Sequence, residues 1–455
     1  MKLSICSAFL MCALVACTSN NKSGENATVH IKGQLIDMGS NTVRMSYNGA
    51  ASALGDSRDI ELQLDSAGYF DTIVSIKEPT YFNISRNTLY LTPGDDLTVK
   101  ITTSNDEAEF SGEGAVVNNY MKYRLFPKGG SYLQAGANIK KDFITTKAVI
   151  DSLAALRIAE LNALQNVSDD FKKLEKARIQ ADIINSYICY ASYSGLFRGL
   201  KTEEEFNNKF KEFSQTIAPE VNPLYKQIAA EEFLDVAVVR DVMSYSADST
   251  LTAWFEGITI PQRTKELISC ETEVGKLRGE ASKEVIDEVS AFTKTIKNKD
   301  FEAELIYKIK QVSKLLPGQP APDIEIEDVK GNKQKLSDFK GKVIYIDLWA
   351  TWCGPCIQES PAFEALSKKY AGKDIVFLPI STDTDTPKWL NYLAEHHKDL
   401  TQYHSTDKAL KAEWGIFYIP RFVLIDKDFT IINAYAPRPS SSEEIVPVID
   451  KALNK

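Results

Sequence analysis

Histidine is scarce, with four in 455 residues. His30 falls in a strand-like segment, and His396, His397 and His404 cluster only loosely. They read as exposed polar residues, and no metal-ligand tract is formed. Long blocks of one charge are also missing. The 53 Lys and Arg and the 62 Asp and Glu leave a net charge of −9 spread along the chain, without the electrostatic footprint that nucleic-acid binding needs. Gly (23) and Pro (17) are too few for a collagen-like chain, and with 44% hydrophobic residues the chain is not wholly disordered. It is long enough for about two to four domains of about 100 to 200 residues each. Neither a strict repeat nor a low-complexity segment occurs in residues 115–316. The apolar stretch Leu3 to Ala16, after Lys2, falls short of the about 20 residues that a membrane-crossing helix requires, so it reads as an export signal.

That stretch ends in Leu14-Val15-Ala16-Cys17, which resembles a bacterial lipobox. The resemblance implies removal of residues 1–16 as a signal peptide and a diacylglycerol anchor on Cys17, with 17–27 as a tether. The protein would then sit in the cell envelope, held to a membrane and facing the periplasm. An ordinary signal peptide followed by an incidental cysteine is the alternative. Polar residues from Thr18 to Asn26 suit a flexible tether. Of seven cysteines, Cys6 and Cys12 leave with the signal and Cys17 is the anchor, so Cys189, Cys270, Cys353 and Cys356 remain. Cys189 and Cys270 read as buried free thiols, with a bridge between them left open by an oxidising compartment.

Three blocks follow. In residues 28–114 apolar residues recur at period two, at Val29 and Ile31, at Val43, Met45 and Tyr47, at Ile60, Leu62 and Leu64, and at Leu97, Val99 and Ile101. Turn residues punctuate them at Gly39-Ser40, Ser66-Ala67-Gly68 and Pro93-Gly94-Asp95-Asp96, which predicts a small antiparallel sandwich or barrel. In 115–316 the period becomes helical. Ser168 is a helix cap, Thr202 and Glu205 form a capping box, and Ser282 precedes a further apolar helical face. The prolines of Pro317-Gly318-Gln319-Pro320-Ala321-Pro322 end this block. In 317–455 strands alternate with helices: a hairpin about Lys330-Gly331-Asn332, a strand Val343 to Trp349, a helix from Pro355 to about Tyr370 and a strand Ile375 to Ser381. A helix near Pro387 to His396, strands Arg421 to Ile425 and Ile431 to Tyr435, and a last helix after Ser442 complete it. This is an α/β domain with a mixed sheet.

The chemistry concentrates in Trp352-Cys353-Gly354-Pro355-Cys356, at the junction of a buried strand and the next helix. A cysteine at a helix N-terminus faces free backbone donors and the positive end of the helix dipole, which favours its thiolate. Cys353 is therefore the expected nucleophile. The spacing brings Cys356 within bonding reach while burying it, as a resolving cysteine requires. Pro355 suits the first helical turn, and Gly354 keeps the approach open. Asp347 lies on the preceding strand. Burial would raise its pKa into the range useful for exchanging a proton with Cys356, unless it is merely bonded to backbone at the strand end.

This motif resembles the thioredoxin superfamily. With Pro320-Ala321-Pro322-Asp323, Leu336-Ser337-Asp338-Phe339-Lys340-Gly341-Lys342 and Ile419-Pro420-Arg421-Phe422, it resembles the membrane-tethered TlpA-like thiol-disulfide oxidoreductases over about residues 317–455. The first two blocks resemble, more weakly, those preceding the module in Bacteroidota lipoproteins, notably at Leu91-Thr92-Pro93-Gly94-Asp95-Asp96. The implied architecture is multidomain: an N-terminal antiparallel β domain, a helical middle region and a C-terminal α/β thioredoxin-like domain. Pro420 matches the superfamily's cis-proline, which would expose the backbone of Ile419 to an extended substrate. Arg421 stands where Thr is frequent. Asp347 matches the superfamily's proton-exchanging aspartate, where many TlpA-like members carry Asn. Glu359 matches a tuning acidic position, or else is a solvated first-turn carboxylate. Trp352, Gly354 and Pro355 would meet the substrate, and Trp349 would wall the site or serve the core.

The resemblance implies reduction of protein disulfides, with no metal and no cofactor beyond the Cys353–Cys356 pair, and a membrane-embedded thiol donor as partner. The alternatives are a disulfide isomerase or oxidant, or an envelope binding protein whose thiol module is inactive. A zinc site would need further ligands, and no second Cys-x-x-Cys is present.

Overall fold

The computed structural model describes residues 28–122, 138–279, 282–416 and 418–454. The expected signal peptide, the Cys17 anchor and the tether lie outside the described residues. Eight strands come first: β1 (Thr28–Leu35), β2 (Thr42–Tyr47), β3 (Ile60–Gln63), β4 (Tyr69–Ser75), β5 (Thr80–Ile84), β6 (Asn87–Leu91), β7 (Asp96–Ile101) and β8 (Glu109–Gly112). They form two four-stranded sheets, ordered β4-β1-β7-β8 and β3-β2-β5-β6. Alternation along β1, β2, β3 and β7 turns Val29, Ile31, Met45, Leu62, Leu97 and Val99 into a shared core. All pairings in these sheets are antiparallel except β1 with β7, which run parallel. At that contact a Cβ on Gly33, whose φ is +142°, would stand 1.8 Å from the Val99 carbonyl oxygen. Only glycine fits there.

Among the described residues eight α-helices follow: α1 (Ala115–Lys122), α2 (Phe143–Ala163), α3 (Asp169–Tyr193), α4 (Glu203–Ile228), α5 (Ala237–Met243), α6 (Gln262–Gly279), α7 (Lys283–Thr293) and α8 (Lys299–Ser313). The Ser168 side chain accepts from Phe171 N, Thr202 and Glu205 complete a capping box, and Ser282 accepts from Val285 N. The helices divide between two cores. One gathers α2 to α5 around Trp254, Tyr225 and Phe171, and draws in Tyr81 and Tyr90 from the sandwich. The other gathers α6 to α8 around Cys270, Leu277 and Phe301, and draws in Ala50, Ala51 and Leu54 from a turn of 3-10 helix between β2 and β3. Each helical group is thus pinned to the sandwich. A buried ion pair, Arg178 to Glu175 at 2.7 Å, receives the Tyr81 hydroxyl at 3.0 Å and ties β5 to α3. Strand β6 is buried at every position, since Leu89 and Leu91 face the sandwich while Tyr90 meets Phe171 at 4.9 Å.

The last third is built on β9 (Glu325–Asp328), β10 (Lys333–Lys335), β11 (Val343–Trp349), α9 (Gly354–Lys369), β12 (Ile375–Ser381), α10 (Thr386–Glu395), β13 (Tyr403–His404), α11 (Ala409–Ala412), β14 (Arg421–Ile425), β15 (Ile431–Asn433) and α12 (Ser442–Leu453). A seven-stranded mixed sheet runs β10-β9-β13-β12-β11-β14-β15. Central β11 is parallel to β12 and antiparallel to β14. Its Ile344, Ile346 and Leu348 face one core, and Val343 and Tyr345 face another beneath α9 and α12. Strand β15 ends two residues earlier than its apolar run suggests, because Asn433 Oδ1 accepts from Tyr435 N at 2.7 Å and turns the chain.

The histidines need one correction. His404 is buried, not exposed: it lies on β13, stacked 5.1 Å from Trp389, with Nε2 2.5 Å from the Asp383 carbonyl oxygen. Pairing with β9 and β12 carries it inside. Cys189 and Cys270 are both free, Cys189 half-buried and Cys270 fully buried, where desolvation pushes its thiol up to about 12. Among the described residues no helix is long and apolar enough to cross a membrane.

Candidate active site

The strand-to-helix turn after β11 carries the two cysteines, joined as a disulfide with their Cα atoms 5.3 Å apart. Cys353 caps α9, its Sγ accepting from Cys356 N at 3.3 Å. It thus sits where backbone donors of the first turn lack partners within the helix. Pro355 occupies that first turn, where its missing N–H costs nothing. Cys353 is 5% exposed and Cys356 1%, so the first sulfur is the more accessible. Trp352 stands out at 66% exposure, an apolar face beside the dithiol. Trp349 is buried, with Ala350, both cysteines and Trp389, and Ile419 packs against that cluster. The Ile419–Pro420 peptide bond is cis.

Alternation along β11 places Asp347 on the face covered by α9, opposite Phe422 on β14 and Pro379 on β12. It is 3% exposed, and its Oδ1 has no hydrogen-bond partner among the described residues. A cavity of about 10 Å³, about the room of one water molecule, joins Asp347 to Cys356, Ser360, Lys398 and Gln402. The Asp347 pKa is raised to about 8, chiefly by burial and next by the Glu359 charge, with Lys398 opposing. A carboxyl that holds its proton near neutral pH can exchange it with a thiol. Glu359 is itself buried rather than solvated, because the chain before α12 folds over it: it accepts from Ser440 N at 3.1 Å and Ser440 Oγ at 2.9 Å, with Arg438 Nη1 at 3.5 Å.

Glu359→Gln removes a negative charge facing Asp347 and is expected to lower the pH at which Asp347 titrates. The carboxyl carbon resonance of Asp347, followed by NMR through a pH series, reads that midpoint; a midpoint that stays or rises contradicts the coupling.

Several supporting residues had no signal in the sequence. Asp383 accepts from Thr351 N and Thr351 Oγ1, both at 2.9 Å, and from Ser381 Oγ at 2.7 Å, so it holds the turn in front of Cys353. Lys398 donates to Ser360 Oγ at 2.8 Å and lies 5.8 Å over the Trp349 ring. Neither stands near the motif in sequence. Among the described residues no group of His, Cys, Asp and Glu is arranged to hold a metal ion.

A family model described as Redoxin matches residues 316–453. A thioredoxin-like protein of Bacillus subtilis, YneN, is 35% identical over 139 residues, which cover 30% of this chain and 81% of that one. The chain belongs to the thioredoxin superfamily. Within it the relatives are TlpA-like: the thiol-disulfide oxidoreductase ResA of Bacillus thuringiensis is 32% identical over 118 residues, covering 26% of this chain and 67% of that one. The crystal structure of a Bacteroides vulgatus protein assigned as a thiol-disulfide oxidoreductase is 75% identical, covers 31% of this chain and 99% of its own, and has a TM-score of 0.31. This TlpA-like thioredoxin-superfamily chain is an oxidoreductase of thiols and disulfides, and these relatives match its last third.

Proposed function

We propose that this oxidoreductase reduces disulfides in proteins of the cell envelope, anchored by lipid on Cys17 after loss of residues 1–16 and facing the periplasm. Residues 17–27 are the tether, 28–114 and 115–316 the spacing and client-facing domains, and 317–455 the redox domain. The Cys353 thiolate attacks one sulfur of a client disulfide, forming a mixed disulfide and expelling a client thiolate. Asp347 takes the proton of Cys356, whose thiolate attacks Cys353 Sγ and expels the second client thiolate. Two electrons pass to the client, and the Cys353–Cys356 disulfide is left. A membrane-embedded dithiol donor then runs the same exchange in reverse. Ile419, beside Pro420, offers its backbone to an extended client segment, Trp352, Gly354 and Pro355 form the contact surface, and Glu359 tunes Asp347.

The observation that carries this reading is a disulfide at a helix N-terminus with a buried, high-pKa carboxylate behind its second sulfur. Its test is the equilibrium potential of the pair, measured for the full chain in detergent. A value near thioredoxin's, about −270 mV, is expected. A value near the strong-oxidant end, about −120 mV, overturns the reducing direction in favour of an oxidant or isomerase.

A further inference from the structure

The residues on either side of Ile419–Pro420 are fastened to the helical region. Arg421, directly after the proline, is buried. Its Nε donates to Ala434 O at 2.6 Å, its Nη1 donates to Tyr418 Oη at 3.2 Å, and its guanidinium carbon lies 3.3 Å from the Tyr435 ring centre. Tyr418 in turn donates to Arg278 O at 2.8 Å, and Tyr435 to Leu277 O at 3.4 Å. Both acceptors lie in the last turn of α6, where helix carbonyls lack partners within the helix. Helix α6 is fixed elsewhere, since Cys270, Val274 and Leu277 are buried with Ala50 and Leu54 of the β region. A planar, permanently charged guanidinium suits this arrangement, because it stacks on one ring while donating to two oxygens.

We infer that Tyr418, Arg421 and Tyr435 form a positioning latch through which α6 sets the place of the Ile419 backbone, so that the front of the molecule determines which protein disulfides the dithiol accepts. This rests on the redox reading above. Substrate pairing along Ile419 needs that strand end held in register. A small disulfide, which pairs with no strand, does not need it.

The test uses the full chain in detergent and two disulfides, insulin and 5,5′-dithiobis(2-nitrobenzoate). Tyr418→Phe keeps the ring and removes both the bond to Arg278 O and the one accepted from Arg421 Nη1. It is expected to raise KM for insulin about three- to tenfold, within what the loss of these hydrogen bonds supports, with kcat for insulin and the rate with the small disulfide unchanged. Tyr435→Phe, which keeps the ring beneath Arg421, is expected to shift KM in the same direction by less. Unchanged KM for insulin in both variants overturns the latch, and so does an equal loss on both disulfides. An unsubstituted chain inactive on both disulfides overturns the redox reading instead, and a stable variant with the split in KM supports the latch.

Discussion

Cys353→Ala leaves no disulfide exchange, whereas Cys356→Ala attacks once and stays joined to its client. The asymmetry follows from the two positions. Cys353 is the cap of α9 and the more accessible sulfur, and its thiolate is favoured by the helix N-terminus. No other described cysteine can replace it: Cys270 is buried, with its thiol pushed up to about 12, and Cys189 lies half-buried on α3, its thiol raised by desolvation. With Cys356 absent, the second half of the exchange has no intramolecular attacker. The check is non-reducing electrophoresis of proteins from cells carrying each variant. Mixed disulfides should accumulate with Cys356→Ala and vanish when Cys353 is removed as well. Adducts that persist without Cys353 sink the assignment of the nucleophile.

Asp347→Asn should make the protein more stable and less active, and the size of both effects should depend on pH. Below about pH 4 the folded and unfolded chains both hold the proton, and the buried group imposes no ionisation cost. Between there and the folded value of about 8, the unfolded chain has released a proton that the folded chain keeps. Stability therefore falls as pH rises, by about 1.4 kcal/mol per pH unit, and levels off above the folded pKa. The total is on the order of 5 kcal/mol. Asparagine at the same place stays neutral, so its advantage over aspartate should grow from near zero at pH 4 to several kcal/mol at pH 8. Urea unfolding of the two proteins across that range measures it, and an advantage independent of pH contradicts a titrating Asp347. In the proposed exchange the same substitution also removes the base for Cys356. Resolution of the mixed disulfide should slow about 100-fold at pH 7, near the lower end of what a positioned acid or base contributes. The deficit should shrink at higher pH, as a thiol with an ordinary pKa of about 8.5 ionises unaided.

Much of the redox domain is legible in the sequence because its signals are local. Buried β11, the proline in the first turn of α9 and the spacing of Cys353 and Cys356 lie within one short segment, and the structure places Asp347 beneath the helix as the strand period requires. The helix caps at Ser168, Thr202 and Ser282 are equally local. Sheet partners are not. Strands β5 and β6 lose their alternation because helices cover the face that would otherwise be polar, and the parallel pairing of β1 with β7 leaves no trace in either strand's period. His404 reads as a surface residue on composition and is buried by its neighbours in the sheet. Asp383, Lys398 and Tyr418 act across the fold, and nothing beside them in sequence announces it.

Among the described residues the two helical groups are buried in separate cores that meet where Arg263 of α6 pairs with Asp235 at 2.8 Å, and each borrows from the sandwich, one through Tyr81 and Tyr90 and the other through Ala50 and Leu54. The sandwich is thus the keystone between them. Loosening Phe171 would be felt on β6 through Tyr90, and crowding at Leu54 would be felt on α6, whose far end meets Tyr418. The amino-terminal strands, remote from the sulfurs in sequence, thus bear on α6, whose last turn accepts from Tyr418 and Tyr435 beside the dithiol domain's cis peptide.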